Sequence, residues 1–117
     1  MGAREHDDSC IFCKMIDRQI PCNLVAEGEE FFAIRDINPQ APTHILVLPK
    51  DHFADIRAVE DAGLLGRLFQ HASSIAADEN LGDGFRLVVN TGLQAGQTVF
   101  HLHIHLLGGR DMHWPPG

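Results

Sequence analysis

His101-Leu102-His103-Ile104-His105-Leu106-Leu107 alternates imidazoles with aliphatic side chains, and a strand sends successive side chains to opposite faces. The stretch reads as a strand with all three histidines on one face and its aliphatic residues turned to a core on the other. At ~3.3 Å per residue, neighbouring histidines stand about 7 Å apart and the outer pair about 13 Å, so one metal takes two of them more readily than three. A lone histidine on a strand is ordinarily packed or solvated; three in strict alternation with aliphatics call for a use. Two chemistries fit the pattern. In one, a His-x-His pair holds zinc that activates water; in the other, a neutral imidazole attacks phosphorus while its neighbours position it and bind charge. The approach to the strand favours phosphorus. The loop Thr91-Gly92-Leu93-Gln94-Ala95-Gly96-Gln97, followed by Thr98, offers backbone N–H groups and a hydroxyl to an anion. The nearest carboxylate for a catalytic zinc is Asp111, beyond Gly108-Gly109.

The histidine strand is expected to span Thr98 to Leu107, with a partner at Phe85 to Asn90. Upstream, His44-Ile45-Leu46-Val47-Leu48 is almost wholly apolar and closed by Pro49, the pattern of a central strand buried on both faces. Leu24 to Glu27 and Phe31 to Asp36, separated by Gly28-Glu29-Glu30, read as an antiparallel hairpin. Asn38-Pro39-Gln40-Ala41-Pro42 cannot continue a strand and forms a stiff connection. Two helices complete the chain. One runs from about Cys10 to Arg18 with Ser9 as N-cap and Pro21 ending it. The other spans Asp61 to Asn80, with Leu65, Leu68, Phe69, Ala72 and Ile75 on one stripe, Gly82 as the stop, and Gly63 and Gly66 making its first turn irregular or late. Strands joined by short turns without regular strand-helix alternation give an α+β fold on an antiparallel sheet of about five strands with two helices.

One domain over residues 1–117 is the expectation for a chain of this length, with 1–8 a loose N-terminus and 108–117 a C-terminal tail. Hydrophobic residues make up 44% of the chain, enough to bury roughly 65% of the unfolded surface. With 9 Lys+Arg against 16 Asp+Glu the net charge is -7, which excludes bulk phosphate-backbone binding, so no nucleic-acid partner is expected. Met1 to Ser9 carries no apolar signal core, and the apolar run at Ile45 to Leu48 is far short of the ~20 residues of a membrane helix. Cys10, Cys13 and Cys22 make an odd number without a disulfide framework, so a reducing, cytoplasmic setting is expected and no membrane partner.

The histidine stretch resembles the His-φ-His-φ-His-φ-φ signature of the histidine triad (HIT) family, φ being hydrophobic. Asp36-Ile37-Asn38-Pro39-Gln40-Ala41-Pro42-Thr43-His44, Pro49-Lys50, Asn90 and Gly108-Gly109-Arg110-Asp111-Met112-His113-Trp114-Pro115-Pro116-Gly117 are similar to its Hint branch, and the similarity runs from about Cys10 to the end. The resemblance implies a HIT-like fold, paired in a homodimer into one continuous sheet. It implies a purine nucleoside phosphoramidase that hydrolyses the P–N bond of adenosine 5'-monophosphoramidates, aminoacyl-adenylate-like adducts included, through a nucleotidylated histidine, with an AMP-type nucleotide as substrate. By the same resemblance His103 is the nucleophile, His105 contacts the phosphate, and His101 leans toward His44 behind it. Asp36 holds the ribose; Asn90, Gln97, Thr98 and Val99 surround the phosphate; Ile11, Phe12, Met15, Ile34 and Ile37 line the base slot; and Trp114 reaches the partner's site. The family usually carries Ser where this chain has Thr98.

Imidazole suits that role: near neutrality it is largely uncharged, nucleophilic at nitrogen, and forms a labile phosphoryl adduct. No Walker loop or metal-phosphate constellation is visible, so neither Mg²⁺ nor an organic cofactor is expected. Cys10-Ile11-Phe12-Cys13 has the spacing of a metal knuckle without a second such pair. Some relatives complete such a knuckle with the histidine after the central strand and the first of the triad, so the resemblance implies a structural zinc on Cys10, Cys13, His52 and His101. The alternative to an enzyme is a nucleotide-binding scaffold or regulatory module with incidental turnover.

Overall fold

A computed structural model describes residues 4–117. The strands are β1 (Leu24–Glu27), β2 (Phe31–Arg35), β3 (Thr43–Pro49), β4 (Phe85–Val88) and β5 (Ile104–Gly108), and the helices are α1 (Ile11–Ile16) and α2 (Ala62–Asp78). The strands form one antiparallel sheet in the order β1-β2-β3-β5-β4, which puts the apolar β3 at its centre. Alternation along the strands divides the core. Ala33, Ile45, Val47, Leu102, Ile104 and Leu106 pack against Leu64, Leu68, Ala72, Ile75 and Ala76 of α2. Phe32, Ile34, Leu46 and Leu48 turn the other way, onto Cys10, Phe12 and Cys13 around α1. The 17 residues of α2 cover one face, whereas the 6 residues of α1 cover only part of the other. The uncovered part is where a cleft opens.

Element ends follow local chemistry. Cys10, rather than Ser9, caps α1, its Sγ accepting from the Cys13 N–H at 3.4 Å; Ser9 instead donates to Asp7. The helix stops at Ile16 because Arg18 turns left-handed at φ 63°, before Pro21 is reached. Asp61 caps α2 through its bond from the Gly63 N–H, so the first turn is regular despite Gly63 and Gly66. Asn80 at φ 61° ends it two residues before Gly82, with Asn80 N–H bonded to the Ala77 carbonyl and Leu81 N–H to that of Ala76. Leu81 then packs over Gly108, where a Cβ would lie 2.6 Å from Leu81 Cδ1. No described helix is long and apolar enough to cross a membrane.

Two further expectations change. The strand foreseen over Thr98 to Leu107 pairs only from Ile104, because the residues before it spend their polar groups elsewhere: Leu102 N–H bonds to the Phe53 carbonyl at 2.7 Å, and the His101 carbonyl accepts from the His103 ring. Of the N-terminus foreseen as loose, 1–3 lie outside the described residues, and 4–8 are tied down. Glu5 exchanges backbone contacts with His52 N–H and Asp51 Oδ1, both at 2.9 Å, and Arg4 reaches the Lys50 carbonyl and Asp17.

Candidate active site and metal group

Strand parity brings Asp36, His44, His103 and His105 to the α1 face. Asp36 N–H bonds to the His44 carbonyl at 2.9 Å, extending the β2–β3 ladder, and His105 stands opposite Leu46, diagonal to His44. They border a cleft of ≈ 560 Å³ whose apolar wall is Ile11, Phe12, Met15, Ile34 and Ile37, with Gly96, Thr98 and Val99 at its edge. The apolar wall and the imidazoles thus share one cavity. Leu46, Cys22 and Asn23 also line it; of these only Leu46 had a legible signal, its even spacing from His44 along β3.

Hydrogen bonds assign each imidazole its tautomer. The Gln40 N–H donates to His44 Nδ1 at 3.0 Å, leaving the His44 proton on Nε2, which faces His105 Nδ1 at 2.9 Å and Asp36 Oδ2 at 3.4 Å. His105 accepts at Nδ1 and so carries its own proton on Nε2. His103 donates Nδ1–H to the His101 carbonyl at 2.7 Å, which leaves the Nε2 lone pair unprotonated. The pair of side chains therefore offers one nucleophilic nitrogen and one N–H donor, with ring centroids 4.9 Å apart. Burial keeps them neutral: it pulls His105 down to about 4, helped by the neighbouring His103 and His44, and lowers His103 and His44 against the pull of Asp36.

His101 belongs to a different group. Rather than leaning toward His44, its Nδ1 lies 3.3 Å from Cys10 Sγ, 3.7 Å from Cys13 Sγ and 3.2 Å from His52 Nδ1. Cys13 Sγ and His52 Nδ1 are 3.6 Å apart, and all four ligand atoms lie within 4.8 Å of one another. Tetrahedral zinc bonded to two sulphurs and two nitrogens spaces its ligands by about 3.3 to 3.8 Å, so this donor set fits zinc. The His101 Nε2–H donates to the Pro49 carbonyl at 2.8 Å, which turns the Nδ1 lone pair toward the group, as an outer-shell partner does for a metal-bound imidazole. Burial pushes the Cys10 thiol up, helped by the neighbouring Cys13 and opposed by the backbone N–H groups of Cys13 and Phe12.

Three other residues stand away from the cleft. Gln97 is buried and its carboxamide is consumed by the loop, Oε1 accepting from Gly92 N–H at 2.9 Å and Nε2 donating to the Ala54 and Val99 carbonyls at 2.8 and 3.2 Å. It shapes the loop, with Gly96 at φ 86°, so that Thr98 and Val99 face the cavity. Asn90 lies beyond the end of β4 and off the cleft lining, and Trp114 is 84% exposed in the single chain, not docked.

The HIT domain family matches residues 17–112. The chain belongs to the HIT family. The two cysteines of the metal group precede the matched segment. The 14 kDa zinc-binding protein of Zea mays is 49% identical over 119 residues, covering 97% of this chain and 93% of its own. Adenylylsulfatase HINT1 of Arabidopsis thaliana is 44% identical over 121 residues, covering 100% and 82%. The crystal structure of a HIT family hydrolase from Legionella pneumophila is 47% identical and superposes with a TM-score of 0.90, covering 93% of this chain and 100% of that one.

Proposed function

We propose that this HIT protein is a nucleotide hydrolase that cleaves the P–N bond of adenosine 5'-monophosphoramidates through a nucleotidyl-His103 intermediate. The observation that carries the reading is the pair of assigned tautomers, a free Nε2 lone pair on His103 beside an Nε2–H on His105, at the end of an apolar slot of nucleotide size. Ile11, Phe12, Met15, Ile34 and Ile37 hold the base, and the Asp36 carboxylate receives the ribose hydroxyls. His105 Nε2–H and the Thr98 hydroxyl bond the phosphoryl oxygens. His103 Nε2 attacks phosphorus, a nitrogen–phosphorus bond forms, and the P–N bond of the substrate breaks with its electron pair going to nitrogen, which leaves as the amine with one proton from solvent. Because Nδ1 keeps its proton, the adduct is a cationic imidazolium and a good leaving group. Water then attacks phosphorus, AMP departs, and the proton is returned to solvent. Cys10, Cys13, His52 and His101 hold a zinc ion whose contribution is structural. The Arabidopsis relative's name, adenylylsulfatase, supports an adenylyl group as the transferred unit.

Hydrolysis of a fluorogenic adenosine phosphoramidate tests the reading. The expected outcome is release of amine and AMP in equal amounts, lost on His103→Ala at constant fold. Tight AMP binding without turnover by the wild type would instead identify a nucleotide-binding module.

A further inference from the structure

The metal group and the cleft share a wall. Cys10 and Cys13 supply the two sulphurs of the group, and the residues between them, Ile11 and Phe12, line the cleft. Phe12 is 5% exposed and sets its ring edge-on against both His101 of the metal group and His103 of the cleft, at centroid separations of 5.7 and 5.2 Å. A second connection runs through one residue: His101 gives its Nδ1 to the group and its carbonyl to His103 Nδ1–H at 2.7 Å, the bond that decides which nitrogen of His103 is free. Phe12, His101 and His103, which make these connections, are all buried. At 6 residues α1 is too short to be stable by itself, so its seat on the sheet depends on what anchors Cys10 and Cys13.

We infer that a metal ion on Cys10, Cys13, His52 and His101 and a purine nucleotide in the cleft bind with positive cooperativity, through the Ile11–Phe12 wall and the His101 carbonyl. The inference rests on the nucleotide reading of the cleft. The ion draws four side chains from α1, the Lys50–His52 segment and the approach to β5 onto one point, which fixes the base wall and the carbonyl that orients His103. Without it, α1 keeps its apolar packing, the thiol contacts to His52 and His101 and the Arg4–Asp17 pair at its C-terminal end, and nucleotide binding must supply the remaining ordering. Linkage makes the effect reciprocal: the factor by which metal tightens nucleotide is the factor by which nucleotide tightens metal.

The test uses the full chain loaded with zinc and AMP as the probe. Calorimetry comes first, and zinc-loaded protein that binds no AMP at millimolar concentration overturns the nucleotide reading itself. Once binding is established, zinc is withdrawn by a competing chelator with and without saturating AMP. The expected result is a zinc affinity raised about tenfold by AMP, within the range of ordinary coupling between sites. Equal affinities overturn the inference. Cobalt-loaded protein separates direct coupling from simple stabilisation of the folded state, because its ligand-field bands report the metal group while the chain stays folded and loaded. AMP is expected to shift those bands, and Phe12→Leu to retain metal while reducing the tenfold factor. Unmoved bands together with an undiminished factor in Phe12→Leu are the signature of folding linkage alone and also overturn the inference.

Discussion

His44, His103 and His105 are held in complementary tautomers by the Gln40 N–H, the His101 carbonyl and each other, with the Asp36 carboxylate beside His44 Nε2. The reactive form of His103 is the neutral one. Burial lowers His103 and pulls His105 from an ordinary 6.5 to about 4, so protonation that would quench the site is deferred to lower pH. The expected single-turnover kcat/KM is level around neutral pH and declines with a midpoint below the ordinary ~6.5 of an imidazole in water; a midpoint at about 6.5 would mean that the imidazoles titrate as if in water. Asp36 is a second point of discrimination. Its Oδ1 accepts from the Asn38 N–H at 2.8 Å, while Oδ2 is 3.4 Å from His44 Nε2, so the carboxylate is already fixed beside the slot. Asp36→Ala is expected to weaken ribonucleotides by about tenfold more than 2'-deoxyribonucleotides, the size of one or two hydrogen bonds to a charged group. Equal losses in a competition assay would make Asp36 a turn-former only.

At the scale of elements, the site exists because two helices of unequal length cover the two faces of one sheet. Leu68 of α2 is fully buried on the closed face, and Leu68→Ala is expected to lower stability by about 2–5 kcal/mol with an unchanged slope in urea unfolding, leaving AMP affinity intact. A comparable loss of AMP affinity would show that the two faces are not separate in energy. Period-2 alternation made the histidine face legible, and the run at Ile45 to Leu48 made β3 legible as the centre. Helix ends were less so, because Arg18 and Asn80 adopt left-handed turns where Pro21 and Gly82 were the visible stop signals. The partition of the three histidines was not legible in the alternation itself; only the family resemblance set His101 with Cys10, Cys13 and His52. Parity puts them on one face, but which one joins Cys10 and Cys13 depends on how Leu102 and His101 spend their backbone groups. The resemblance sets Gln97 beside the phosphate, and only the folded chain shows both ends of its carboxamide taken by backbone.

The whole molecule leaves β1 and β4 as sheet edges, and β4 carries Phe85 at 40% exposure beside the tail, which Arg86 tethers through the His113 carbonyl at 2.8 Å. We propose that two copies pair into one continuous sheet, with each Trp114 reaching the other's cleft. Deleting Met112 to Gly117 is expected to leave a dimer by light scattering while changing the relative kcat/KM for bulky and small amine leaving groups; an unchanged ratio across a series of amines would reduce Trp114 to packing. The central claim is covalent catalysis by His103, and rapid acid-free quenching of one turnover with a phosphorus-labelled adenosine phosphoramidate tests it most directly. Transient label approaching one adenylyl group per chain is expected, located on His103 by peptide mass spectrometry and absent in His103→Ala. Full-rate turnover in His103→Ala, or label on any other residue in the wild type, would contradict it.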